Sequence, residues 1–246
     1  MQEIVYHSNF EYENKYWWFV ARNQIVKDIF LKKCKISKGS DILDVGCGTG
    51  GFTSKLIDEY NVIGIDTSDL ALEYSKKRGI KHLYNCYLGD FPKKDWNIKA
   101  ITILDVIEHI EDDKAVVEQC FDTLPNDGYL IATVPAYSWM WSHHDVVHHH
   151  YRRYSKNQIS KLFIDAGFEI EYSTYFNTFL FLPAFLKRIF EKISGSGKND
   201  APIDEVPDFL NNIFTHIFNL ENSFLPAVSF PFGLSILIVA KKINRK

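Results

Sequence analysis

Three things are scarce in this sequence, and each scarcity removes a class of function. No two of its four cysteines (Cys34, Cys47, Cys86, Cys120) form a CxxC pair, the pattern of free thiols in a reducing compartment. Net charge is also small: 28 Lys and Arg stand against 31 Asp and Glu, for a formal −3. That leaves no basic footprint, so nucleic acid is not expected as a partner. Long apolar runs are the third lack. Asn222–Ala240 is uncharged and nearly long enough to span a bilayer, but Pro226, Pro231 and Gly233 interrupt it; its GLSILIVAKK end reads as a buried strand. The first residues, MQEIVYHSNFEYENKYWW, lack the basic-then-apolar order of a signal peptide. The expected location is cytoplasmic. What the chain does hold is apolar mass, 46% of 246 residues, enough for one α/β domain with an appendage and too much for bulk disorder.

The chain is organised around DILDVGCGTGGFT, Asp41 to Thr53. Ile42, Leu43 and Val45 form a short apolar run of buried-strand type. Gly46, Gly48, Gly50 and Gly51 then lead into Phe52, Leu56, Ile57 and Tyr60 at helical spacing. Strand, glycine turn and helix open a nucleotide-binding α/β sheet, the glycines letting a ligand approach the backbone. Gly46, Gly48 and Gly51 satisfy the dinucleotide pattern GxGxxG. Gly46, Gly48 and Gly50, led by Asp44, satisfy the pattern of S-adenosylmethionine methyltransferases. A structural turn without a ligand is the third reading.

The flanking chain supplies further signals. Tyr16–Ile36 predicts an amphipathic helix, and its opening Tyr16-Trp17-Trp18-Phe19 is either a core anchor or a lid over a cationic ligand. Asn61–Asp66 predicts a second strand ending in an acid about twenty residues past the first glycine, where a carboxylate reaches ribose hydroxyls. Ser68 caps a following helix. Strands are expected at His82–Leu88, Ala100–Val106, Tyr129–Val134, Glu169–Tyr175 and Leu234–Ala240, and helices at Asp112–Leu124 and Tyr154–Ala166. The last of these carries a Ser155/Gln158 capping box and Gly167 at its stop. Phe176–Phe232 is a long apolar insertion, with helical stretches at Phe179–Ile193 and Val206–Leu220 around the loop SGSGKNDAP.

DVGCGTG (Asp44–Gly50), GID (Gly64–Asp66), GDF (Gly89–Phe91) and LDVIEHIED (Leu104–Asp112) together resemble the class I S-adenosylmethionine-dependent methyltransferases. The resemblance implies a Rossmann-like three-layer α/β sandwich. Its seven-stranded sheet is mostly parallel with the last strand antiparallel, and an N-terminal helix and a helical insertion are added. The NPPY-type motif of adenine and glutamine methyltransferases is absent, and DVIEH stands in its place as in small-molecule enzymes. The flanks YWWF with Arg22, and HD…HxRRY at His144, Asp145, His150, Arg152, Arg153 and Tyr154, resemble a bacterial subgroup associated with surface polysaccharides and secondary metabolites.

On this reading S-adenosyl-L-methionine is the cofactor, held by Arg22, Asp44, Gly46, Cys47, Gly48, Gly50, Asp66, Thr67, Gly89, Asp90, Phe91, Asp105 and Val106. A hydroxyl acceptor must lose a proton, and an imidazole is the usual base. His144 is the first candidate, with Asp145 to orient an imidazole, and His109 is the second. Trp18, His150, Arg152, Arg153 and Tyr154 are candidates for the acceptor. His144, Asp145, His148 and His150 could surround a metal, but methyl transfer requires none and none is expected. The chain divides into a lid (residues 1–40), a cofactor-binding core (41–176), an insertion (177–231) and a final strand (232–246). The expected function is methyl transfer to a small-molecule acceptor, on oxygen rather than nitrogen, such as a sugar, polysaccharide or secondary-metabolite precursor. The rivals are an NAD-dependent oxidoreductase and a silent cofactor-binding scaffold. The insertion serves as lid, homodimer contact or membrane contact, the membrane being the least favoured.

Overall fold

Apolar runs bounded by turns pair as strands because pairing satisfies their backbone groups while both faces are covered. The computed structural model describes residues 3–194 and 206–244, without the side chains of His144 and residues 191–194. The SGSGKNDAP loop, apart from the backbone of Ser194, therefore lies outside the described residues, as do the side chain of Ile193 and the imidazole of His144. One sheet holds β1 (Asp41–Val45), β2 (Asn61–Asp66), β3 (His82–Asn85), β4 (Ile98–Leu104), β5 (Tyr129–Pro135), β6 (Phe168–Phe176) and β7 (Ser235–Lys242). Their order is β3-β2-β1-β4-β5-β7-β6. β7 runs antiparallel to β5 and β6, while β1 to β5 pair in parallel. This is the expected sheet. The stretch weighed as a bilayer span ends in β7, and among the described residues no helix is long and apolar enough to cross a membrane.

Among the described residues, eight α-helices pack around or beside the sheet: α1 (Glu3–Tyr12), α2 (Trp17–Lys33), α3 (Asp69–Lys77), α4 (Asp113–Thr123), α5 (His143–Val147), α6 (Lys156–Asp165), α7 (Phe181–Ser194) and α8 (Asp208–Leu220). Alternation along the strands sends Leu43, Ile63, Ile65 and Ile101 to one face, with Val117 of α4 and Phe163 of α6. Ile42, Val62 and Ala100 go to the other, against Ile25, Ile29 and Phe30 of α2. Local signals start the helices where the sequence puts them. Ser68 accepts from the Ala71 N–H (3.3 Å), Asp112 from that of Ala115 (2.9 Å), and the Ser155/Gln158 capping box is formed.

Three expectations are corrected. The segment after the glycine turn is not an α-helix: a 3-10 turn at Thr53–Lys55 and further turns fill it. Phe52, Leu56 and Tyr60 still bury at helical spacing, but the nine residues from Phe52 to Tyr60 reach β2 through mostly i→i−3 bonds. β3 stops at Asn85, and Leu88–Asp90 forms a 3-10 turn. Glu3–Tyr12, where no helix was expected, forms α1.

The insertion is fastened at both ends. α8 packs on α2 through Trp17, whose ring meets Phe214 (5.6 Å) and Phe218 (6.0 Å) and whose N–H donates to Asn211 Oδ1 (2.8 Å). Glu221, just beyond α8, is fully buried and accepts from the Phe179 N–H at 2.7 Å. Burial pushes its pKa up to about 7, against the pull of backbone N–H groups at Phe179, Thr178 and Asn177. The folded state therefore holds a proton that the unfolded chain releases at lower pH, so stability falls as pH rises from the ordinary glutamate range through 7. Glu221→Gln, always neutral, should gain on the wild type by about 2.5 kcal/mol between pH 5 and pH 8 in urea unfolding. Parallel pH curves for the two proteins would refute this.

Candidate active site

The site begins where β1 ends. Gly46 and Cys47 donate to the Ile65 carbonyl (2.8 and 3.0 Å), fastening the loop to β2. Gly48 has φ 55°, and a Cβ built there meets nothing within 4 Å, so the tip of the loop faces open space. Asp66, at the end of β2, accepts from the N–H of Gly48 (3.0 Å) and of Ser68 (2.9 Å). Burial raises its pKa and these donors oppose the rise. Asp44 is buried beneath the loop, taking the hydroxyls of Thr53 and Thr102 (2.6 Å for the second). Burial raises its pKa too. Cys47 is buried, its sulfur beside Gly64 and Ser75, and burial pushes its thiol well up.

The N-terminal helices close over this loop. Glu13 takes the Thr49 hydroxyl and pairs with Arg78 (3.1 Å), which also donates to the Thr49 carbonyl (2.8 Å). Phe10 stacks on Tyr74 at 4.4 Å. Trp17 is an anchor for α8, whereas Trp18 is half-buried with the Arg22 guanidinium 5.6 Å from its ring. Arg22 itself is buried. It donates to Asp105 (2.5 Å), Thr133 (3.2 Å) and Asn23 (2.9 Å), and its Nε is buried without a hydrogen-bond partner. Asp105, directly after β4, holds φ 55°, an uncommon conformation for a non-glycine residue.

The other cofactor candidates follow the strand ends. Thr67, Gly89 and Asp90 are exposed, while Phe91 is buried in the core against Tyr84 (5.6 Å). Val106 lies under Gly46, where a Cβ would come within 2.5 Å of it.

The HD…HxRRY segment turns inward. Asp145 is fully buried and accepts from His150 Nδ1 (2.9 Å), Arg153 Nε (2.7 Å) and the Ser142 N–H (2.8 Å). Burial would raise its pKa, but His150 and Arg153 hold it well below the usual carboxylate range. The imidazole that Asp145 orients is thus His150. Arg153 also donates to the Ala136 carbonyl (3.1 Å), Arg152 pairs with Asp113 (2.9 Å), and the Tyr154 hydroxyl donates to Asp113 (2.8 Å). These three candidates for the acceptor bind the segment to the ends of β5 and α4. The backbone of His144 lies in α5. His109 stands edge-on to His150 at 4.6 Å. Burial, with His150 and His148 nearby, lowers its pKa to about 4, so it is a neutral and weak base at pH 7.

Two residues escaped the sequence reading. Glu108, inside the quoted DVIEH, is 1% exposed, and burial followed by Asp105 raises its pKa well up. Tyr137, past β5, has φ 60° and stacks between Trp139 and Tyr175 (5.2 Å each). No motif marks Tyr137, whereas an acid between two candidate residues was a usable signal for Glu108.

A glycine loop open at its tip, a carboxylate at the end of the next strand and a 3-2-1-4-5-7-6 sheet define an adenosine-binding α/β protein. The family described as a methyltransferase domain matches residues 20–173. The chain belongs to the class I S-adenosylmethionine-dependent methyltransferases. A probable S-adenosylmethionine-dependent methyltransferase of Mycolicibacterium smegmatis is 26% identical over 166 residues, covering 65% of this chain and 62% of that protein's length. The match thus spans less than two thirds of that relative's length. An S-adenosylmethionine-dependent methyltransferase of Thermotoga maritima shares the fold, with TM-score 0.59 and 19% identity over 98% of this chain and 100% of that one. So does a phosphoethanolamine N-methyltransferase of Haemonchus contortus solved with S-adenosylhomocysteine (TM-score 0.57, 16% identity, 90% of this chain and 53% of that one). The cofactor is S-adenosylmethionine. The loop fits it, since the open Gly48 tip admits a ligand to the backbone beside Asp66.

Proposed function

We propose that this chain methylates a small-molecule acceptor, on oxygen in preference to nitrogen, and that Asp66 and the Gly46–Gly50 loop hold the donor. The observation that carries this is the Asp66 carboxylate beside the open Gly48 tip. Bound S-adenosylmethionine supplies a methyl group on a positively charged sulfur. Asp66 offers its carboxylate to ribose hydroxyls, and exposed Asp90 offers one to the adenine amino group. Trp18 and Arg22, on the helix that covers the strand ends, frame the space beyond the loop. His144 takes the acceptor's proton in this reading, with His109 as the alternative base. The HD…HxRRY pattern supports a sugar, polysaccharide or secondary-metabolite precursor as acceptor. Residues 1–40 act as lid, 41–176 as cofactor-binding core with 232–246 completing its sheet, and the insertion (177–231) as cover or contact surface. Exposed Leu182, Leu186 and Phe190 on α7 suit a lid or homodimer contact.

Calorimetric titration with S-adenosylhomocysteine and with NAD tests the donor. The first should bind and the second should not. Asp66→Ala loses charge-assisted hydrogen bonds worth about 1.5–3 kcal/mol, so affinity should fall roughly tenfold to a hundredfold. Unchanged affinity in a variant that still unfolds cooperatively would falsify the assignment.

A further inference from the structure

We propose that Glu108, His109 and His150 bind a divalent transition-metal ion beside the methyl-transfer site. One ligand atom from each of the three lies within 4.8 Å of those of the other two. Two imidazoles and one carboxylate form a donor set suited to zinc, iron(II) or manganese(II), and three protein ligands leave a position open. Two independent features point the same way. Glu108 Oε2 is buried with no hydrogen-bond partner, a costly arrangement for a carboxylate unless a cation meets it. His150 gives Nδ1 to the fully buried Asp145 (2.9 Å), so Nε2 is the nitrogen that would ligate. A carboxylate behind a ligating histidine is the usual means of fixing its tautomer and orientation.

The framework is already rigid. Arg153 donates to the same Asp145 oxygen at 2.7 Å while Ser142 holds the other, and the Tyr151 N–H donates to the Glu108 carbonyl at 2.7 Å, tying the two ligand-bearing segments together. His109 and His150 stand edge-on at 85°, so their nitrogens converge without ring stacking. Glu108 and His109 sit three and four residues past Asp105, at the carboxyl end of β4 where open sheets bind ligands. An ion there would take an acceptor oxygen at its open position and make that hydroxyl more acidic, so that His144 removes its proton more readily while His109 serves as a ligand and not as a base. The acceptor class this favours is an alcohol or phenol. Only this use of the ion rests on the methyl-transfer reading; its binding does not.

The test uses the full chain, stripped with chelator and dialysed, then titrated with cobalt(II) alone at neutral pH. Visible absorption and metal content should report about one equivalent. Glu108→Gln, His109→Gln and His150→Gln should each weaken binding about tenfold or more, whereas exposed His149→Gln should not. The three substitutions lie on two segments, so a variant that fails to unfold cooperatively is set aside and the others decide. Zinc(II) should raise the thermal midpoint of the wild type and of His149→Gln but not of the three variants. No saturable binding, or binding indifferent to the three substitutions, overturns the proposal. S-Adenosylhomocysteine titrated in parallel separates the two readings. A chain that binds it and no ion refutes the metal site alone; one that binds cobalt but not the homocysteine refutes the donor assignment alone.

Discussion

Gly48→Ala is expected to fold and to lose S-adenosylhomocysteine affinity by about a hundredfold or more, roughly 2.7 kcal/mol. Gly50→Ala should instead lose stability. Both residues have positive φ, 55° and 79°, and an alanine there costs about 1–2 kcal/mol in backbone strain. What differs is what a new methyl group would meet. At Gly48 nothing lies within 4 Å, so the folded chain tolerates it, and it projects into the space a ligand needs to approach the loop. At Gly50 the Cβ would lie 2.6 Å from Ile80 Cδ1, 2.8 Å from Ser75 Oγ and 3.1 Å from Ser75 Cα. Ile80 can swing aside, but the backbone of α3 cannot, which adds an overpacking cost of about 1–3 kcal/mol. Urea unfolding and calorimetry on the two variants separate the effects. If Gly48→Ala binds like the wild type, the loop tip is not where the donor lies.

The sheet was legible because each strand carries its own signal. Asn61–Asp66 is an apolar run closed by an acid, and β2 has those very limits. α6 announced both its ends, through Ser155, Gln158 and Gly167. The segment after the glycine turn shows how such signals mislead. Phe52, Leu56 and Tyr60 have helical spacing because they bury on one side, but the short path to β2 is built of tighter turns. α1 gave no signal at all. Only Val5 in it is buried, and contacts from its end and the turn beyond (Phe10 on Tyr74, Glu13 on Thr49 and Arg78) hold it to the cofactor loop. Tertiary partners far along the chain decided that helix.

The candidate site was legible as chemistry and not as direction. Asp145, His150 and Arg153 read from the sequence as groups offered to a base or an acceptor. A sequence of separations 5 and 8 cannot say whether they face outward or one another. In the fold Asp145 is enclosed by the other two, and the Tyr154 N–H bonds the Pro135 carbonyl at 3.0 Å, which turns the whole segment back on β5. Glu108 was hidden for the opposite reason. A glutamate next to a histidine looks like a solvated charge, whereas in the fold it is 1% exposed, with the Tyr151 N–H on its carbonyl and His150 brought beside its carboxylate.

Arg22→Met is expected to destabilise the chain by about 3–5 kcal/mol, the cost of leaving one partner of an enclosed ion pair alone. Arg22 reaches from α2 across the strand ends to Asp105 at 2.5 Å and Thr133 at 3.2 Å, with its other terminal nitrogen on Asn23. Methionine fills a similar volume and offers none of these donors, so Asp105 would keep its charge and lose its cation. The Asp105 side chain is only 24% exposed, so water would screen the abandoned charge incompletely. Lysine should restore only part of the loss, because one ammonium cannot serve Asn23 and Asp105 in the fork geometry of a guanidinium. The double variant Arg22→Met/Asp105→Asn removes both charges and should be more stable than Arg22→Met alone, with a coupling of about 1–3 kcal/mol in urea unfolding. Purely additive losses, or Arg22→Met within about 0.5 kcal/mol of the wild type, would mean that the pair does not join lid to sheet. In that case the covering of the cofactor loop would rest on Glu13 and Arg78 instead.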